Sequence, residues 1–125
     1  MSAMIDHVGL HVGDLDAARA FYAEALEPLG YRIFMEWEEH VGFQAGEAGP
    51  DFWISRGDGA NAGTHVCFRA RDRETVDAFH IAALAAGGGD NGPPGLRPHY
   101  HEHYYGAYVL DPDGNNVEAV CHTPA

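Results

Sequence analysis

The sequence predicts an α+β fold of two tandem βαβββ modules whose mixed sheets face each other across a cleft. Three observations carry that prediction. The chain repeats itself at an offset of 58 residues, each copy changes from a two-residue to a helical rhythm, and three short apolar runs bounded by turn residues follow each helical stretch. With 125 residues and 46% hydrophobic content, the chain suffices for one domain with a real core, residues 1–125, and is too short for two independent ones. Module one is expected over about residues 4–57 and module two over about 62–123.

The repeat is read directly. IDHVGLHVGDLDAARAFYAEAL, from Ile5 to Leu26, returns as GTHVCFRARDRETVDAFHIAAL, and without gaps His7, Val8, Asp14, Ala20, Phe21, Ala25, Leu26 and Gly30 meet identical residues 58 positions later, eight matches in 24. Each copy opens with alternation, Val8, Leu10 and Val12 pointing one way and His7, Gly9 and His11 the other, which predicts a half-buried strand. Asp14 and Asp72 then stand where helix N-caps are needed. Apolar residues at helical spacing follow, Leu15, Ala18, Phe21, Tyr22, Ala25, Leu26 and Leu29 in the first copy and Val76, Phe79, Ala83 and Leu84 in the second. Gly30 and Gly87 to Gly89 end the helices.

Three strands are expected after each helix: Tyr31 to Trp37, His40 to Ala45 and Asp51 to Arg56, then about His99 to His103, Tyr105 to Leu110 and Asn116 to His122. Asp111-Pro112-Asp113-Gly114 marks a tight turn between the last two. In the last strand Glu118 shares a face with His65 if the strands that carry them are neighbours.

Composition narrows the function. A net charge of −12, from 19 acidic residues against seven arginines and no lysine, repels phosphate backbones and excludes lysine Schiff-base chemistry. Neither nucleic acid nor membrane is an expected partner, since no apolar run at either end reaches signal or membrane-span length, and a cytoplasmic protein is expected. Cys67 and Cys121 lie in strand-like runs outside any CxxC pair and are expected as buried, reduced thiols. Nine histidines stand out, because imidazole is the commonest metal ligand and titrates near neutrality. Facing sheets would bring His7, His65 and Glu118 into one cleft, a 2-His-1-carboxylate set that leaves open positions on a divalent metal such as Zn, Ni, Fe(II) or Mn.

Together the paired modules, the opening IDHVGLHVGDLDAARAFY, the second opening THVCFRARD and the closing LDPDGNNVEAV resemble the vicinal oxygen chelate superfamily. That family includes glyoxalase I, ring-cleaving extradiol dioxygenases, and fosfomycin and bleomycin resistance proteins. The resemblance implies that His7, His65 and Glu118 are metal ligands and that two adjacent substrate oxygens chelate the metal. It also implies a homodimer acting on a small molecule. Two departures matter. Aligning DFWIS with NVEAV puts Trp53 where glyoxalase I has a glutamate, and Gly9 replaces the threonine of fosfomycin transferases, which bind their phosphonate with basic residues.

The segment PPGLRPHYHEHYYG is the second unusual feature. If Pro98 to Tyr104 is a strand, His99, His101 and His103 share one face and Tyr100, Glu102 and Tyr104 the other. The resemblance to ring-cleaving dioxygenases implies a His and a Tyr that handle substrate protons, a role that suits some of His99, His101, Tyr104 or Tyr105, with His101 and Tyr104 taken as the catalytic candidates. Arg97 and Trp53 are the candidate substrate-binding residues; an arginine can hold a carboxylate bidentately. The expected function is a metal-dependent, glyoxalase-like lyase or isomerase. Ring-cleaving dioxygenase and metal-free, bleomycin-resistance-like drug binding by an acidic cleft are the alternatives.

Overall fold

The computed structural model describes residues 5–57 and 63–124. The expected junction between the modules, residues 58–61, together with Ala62 at the start of the second module and Met4 at the start of the first, lies outside the described residues. The first module runs β1 (Val8–Val12), α1 (Leu15–Ala25), a 3₁₀ turn (Glu27–Leu29), β2 (Tyr31–Trp37), β3 (His40–Ala45) and β4 (Phe52–Arg56). The second runs β5 (His65–Arg69), α2 (Arg73–Ala85), β6 (Gly89–Leu96), β7 (Tyr105–Leu110) and β8 (Asn116–Cys121). Each module is one four-stranded mixed sheet, ordered β1-β4-β3-β2 and β5-β8-β7-β6, with the two outer strands β1 and β5 parallel to their neighbours and the remaining pairs antiparallel.

Local chemistry sets the helix ends. The Asp14 carboxylate accepts from the Ala17 amide at 3.1 Å and that of Asp72 from the Thr75 amide at 2.8 Å, so both predicted N-caps satisfy otherwise orphaned donors. The first apolar stripe is buried as expected from Leu15 to Leu26. In the second helix Leu84 is exposed and His80 takes its place beside Val76, Phe79 and Ala83. That set follows the i, i+3, i+4, i+7 spacing, and the imidazole remains satisfied by Asp90 at 3.0 Å.

One core joins the modules. The two helices pack together, and Phe68 of β5 meets Phe52 of β4 and Tyr31 of β2 edge-on at 5.2 and 5.4 Å between ring centroids. Such pairs contribute about 0.5–1.5 kcal/mol each beyond the area they bury. The DPDG turn is anchored on the other module: buried Asp111 accepts from the Tyr22 hydroxyl at 2.5 Å, and Asp113 from the Gly13 amide at 3.1 Å. With the helices on one side of each sheet, the opposite faces stay open.

The strand expected over His99 to His103 is instead β6, seven to ten residues earlier. Its sequence GDNGPPGL lacks alternation and carries two prolines, yet it is the outermost strand and its pairing with β7 shifts register twice, between Asp90 and Gly92 and between Gly92 and Gly95. Prolines are tolerated at such edges and bulges because no ladder hydrogen bond needs their missing N–H. Residues 97–104 form a loop, so the alternating faces expected from Pro98 to Tyr104 do not exist.

Candidate functional site

The open face of the second sheet gathers the chemistry. Register places Cys67 and Tyr108 on either side of Glu118, and strand alternation adds His65 and Arg69 on β5 and His122 just past β8. Glu118 is 1% exposed, although it stands on an open sheet face. Its Oε1 lies 2.9 Å from His65 Nε2, and its Oε2 accepts from the Tyr104 hydroxyl. The His65 side chain is half exposed, so the pair presents its open side to solvent.

Burial and the Glu118 carboxylate, in that order, push the Cys67 thiol and the Tyr108 phenol up to about 12 and raise the Tyr104 phenol further still. All three therefore remain protonated donors near neutral pH. The reduced thiol of Cys121 is buried as expected, but Cys67 belongs to the site face and not to the core: the residue as a whole is exposed, while its thiol is partly desolvated beside Glu118.

Two imidazoles extend the array. The His103 amide donates to His101 Nδ1 at 3.1 Å, which leaves the proton of a neutral His101 ring on Nε2. That proton is donated to His122 Nδ1 at 2.8 Å, so a neutral His122 carries its own proton on Nε2. Both rings pack edge-on to Tyr104 at 5.5 Å. Burial first, then Arg69 and His101, holds His122 below the usual imidazole range. His122 escaped the sequence reading, yet the signal was present: Glu118, Val120 and His122 alternate onto one face.

The other candidates separate. Tyr105 donates to Asp77 of α2 at 2.7 Å, on the opposite face of the sheet, which removes it from the proton-handling set. The His99 ring packs at a tilt against Tyr100, 4.2 Å between centroids, and is exposed. Arg97 lies over the Tyr108 ring at 5.4 Å and donates to the Pro93 carbonyl at 2.8 Å, close to Glu118's neighbour but not bonded to the carboxylate. His7 is exposed on the first module and bonds Asp6 at 2.7 Å; among the described residues no three His, Cys, Asp or Glu side chains gather as a metal-binding set. The structure thus brings His65 and Glu118 together and leaves His7 apart from them. A groove of about 750 Å³ runs between the modules, lined by Ile5, Val8 and Phe52 on one side and His65, Cys67 and Arg69 on the other.

Register also locates Trp53. Trp53 pairs with Gly9 and Gly42 in the first sheet as Glu118 pairs with Cys67 and Tyr108 in the second, so it is the structural counterpart of the carboxylate.

The donor set fits a divalent cation in part. A buried carboxylate needs compensation, and here its hydrogen-bond partners are one imidazole and one phenol, with no arginine ion-paired to it among the described residues. An imidazole nitrogen and a carboxylate oxygen side by side are ligands that Zn, Ni, Fe(II) and Mn all accept.

Comparison with known proteins gives the family. Residues 4–119 match the family described as the Glyoxalase/Bleomycin resistance protein/Dioxygenase superfamily. A glyoxalase/bleomycin resistance protein from Albidiferax ferrireducens is 31% identical, with a TM-score of 0.83 over 95% of this chain and 99% of that one. A lactoylglutathione lyase from Agrobacterium tumefaciens is 25% identical, TM-score 0.69, over 97% and 95% of the two chains. The fosfomycin resistance protein FosX from Listeria monocytogenes, solved as a variant with Mn(II) and dihydroxypropylphosphonic acid, shares the fold at 22% identity and TM-score 0.72, over 98% and 93%. No curated protein matches in sequence. A match along nearly the whole chain, with a solved relative above 30% identity, means that the chain belongs to the glyoxalase/bleomycin resistance protein/dioxygenase superfamily.

Proposed function

We propose that the protein is a metal-dependent enzyme of the vicinal oxygen chelate type, a glyoxalase-like lyase or isomerase acting on a small molecule with adjacent oxygens. The observation that carries this reading is the buried Glu118 carboxylate, 2.9 Å from His65 on the open face of a sheet. His65 and Glu118 of one chain hold the metal, and His7 of a second chain completes the set in a homodimer. His7 is exposed on the first module's open face, free to meet another copy. Bound there, a divalent metal supplies Lewis-acid stabilisation of negative charge developing on substrate oxygens. Tyr104 holds a proton against Glu118 Oε2 and orients the carboxylate. His101 and His122 form a path along which a proton can pass between the 97–104 loop and this face. Trp53, in place of a second carboxylate, removes a general base that glyoxalase I has at this position. A cytoplasmic location suits two unpaired thiols.

Ring-cleaving dioxygenase is the second reading, favoured by the Tyr104, His101 and His122 arrangement beside the carboxylate. Elemental mass spectrometry on tag-free protein separates the outcomes. About one divalent metal per chain is expected in the parent and little in a His7→Ala/Glu118→Ala double variant; iron directs the assays to ring cleavage, nickel or zinc to glyoxalase-like substrates. A parent that stays empty after reconstitution with each of Zn, Ni, Fe(II) and Mn overturns the metal-dependent reading.

A further inference from the structure

The open face of the first sheet is read row by row from the pairing. One row is Gly9, Trp53, Gly42 and Met35; the next is His11, Ser55, His40 and Trp37. Neither row contains an Asp, Glu or Arg, in a chain that carries 19 acidic residues. Both strands beside Trp53 present glycine to it. A Cβ on Gly42 would lie 2.8 Å from Cη2 and Cζ3 of the indole, so the six-membered ring leans directly over that glycine; at Gly9 a Cβ would meet nothing within 4 Å. The indole is therefore seated over one glycine with open space above the other, and the residue is half-buried.

We infer that Trp53 is a stacking platform that selects ligands with an uncharged planar ring. A ring of that kind loses no hydration of charge on entering a charge-free row, and it matches the indole in shape and in π-face. A saturated ligand of equal size meets the same surface without the offset-stacked contact. His7 precedes Gly9 by two residues on the same alternating face. The role in catalysis, with the ring on Trp53 and adjacent oxygens turned toward the metal, rests on the metal-centre reading above; ring binding itself does not.

The test reads the two indole N–H signals by NMR in metal-free protein, with Trp37→Phe to assign them. Adding 2-naphthol should shift the Trp53 signal at concentrations where the saturated 2-decalol does not. Trp53→Leu should weaken 2-naphthol binding roughly tenfold or more, and Trp53→Phe should keep most of it. Gly42→Ala, which leaves the indole present but displaces it, should also weaken binding. Thermal unfolding of each variant confirms the fold. Equal binding of 2-decalol, or unaltered 2-naphthol affinity in Trp53→Leu, overturns the proposal. So does a Trp53→Leu variant whose sedimentation shows a broken oligomer with ligand affinity intact, because the indole would then be covered by a second copy. Failure of the metal reading alone would appear as an absence of tighter 2,3-dihydroxynaphthalene binding on metal addition, with the 2-naphthol results unchanged.

Discussion

At the scale of single residues, the site is a set of protons held in place around one carboxylate. Tyr104 and His65 take the two oxygens of Glu118, while the His101 and His122 rings share a hydrogen bond beside Tyr104. His122 faces Arg69 from β5, His101 and Tyr104 from the 97–104 loop, and more distantly Glu118 on its own strand. Its folded value lies below 6.5, so the unfolded chain takes up that proton first as pH falls. The expected consequence is a loss of stability that begins as pH drops through the ordinary imidazole range and levels off only below the folded value. Thermal unfolding between pH 7.5 and pH 5 checks it, a range spanning about the usual imidazole value: His122→Asn should show a shallower decline than the parent, and parallel curves would contradict the assignment. Much of this residue-level picture was legible beforehand. Glu118 beside His65 followed from alternation once the strands were neighbours, and the alignment that placed Trp53 opposite Glu118 agrees with the register. Tyr104 and His101 were singled out by an alternation that the 97–104 loop does not have and took their role from resemblance, because a loop contact has no sequence period.

At the scale of elements, the repeat hides a difference that sequence identity cannot display. Gly30 and Gly88 are equivalent in the two copies, but they are glycine for separate reasons. Gly30 has φ 87° with open space around it, so its need is conformational. Gly88 is outside the positive-φ set, yet a Cβ there would lie 2.4 Å from Val109 Cγ1 and 2.9 Å from the Ala83 carbonyl, so its need is room; the left-handed turn falls to Gly87 at φ 102°. Gly30→Ala should cost about 1–2 kcal/mol from left-handed strain, and Gly30→Asn less, since Asn visits that region. Gly88→Ala should cost about 1–3 kcal/mol through overpacking, and Gly88→Asn more. Urea unfolding of the four variants checks the opposite ordering at the two positions. The same gap between pattern and cause explains β6: its strand character comes from backbone pairing with β7 at a sheet edge, which GDNGPPGL does not advertise. His80 was legible in hindsight, since it completes the buried spacing, but polarity diverted the reading to Leu84. β2, β3 and β7 were legible end to end because each is an apolar run fenced by turn residues.

At the scale of the whole molecule, the separation of His7 from His65 and Glu118 becomes a question of how copies assemble. The two open faces belong to different modules, and each carries part of the proposed ligand set. If the metal centre forms between chains, His7→Ala protein retains intact His65 and Glu118, and Glu118→Ala protein retains an intact His7. Mixing the two by co-expression, or by unfolding and refolding together, then produces dimers in which the first variant's His65 and Glu118 meet the second variant's His7. One of the two sites in such a mixed dimer is whole, and the other lacks both groups. Each variant alone should hold little metal, and the mixture should recover a measurable fraction, below half of the parent content because only mixed dimers contribute and each contributes one site. A site built inside one chain gives no recovery, since every chain in the mixture lacks one ligand. Elemental mass spectrometry of the parent, the two variants and the mixture reads this directly, with sedimentation confirming that mixed dimers formed. Trp53→Leu carried through the same mixing is expected to leave the recovered metal unchanged, because the indole contributes no ligand to the ion.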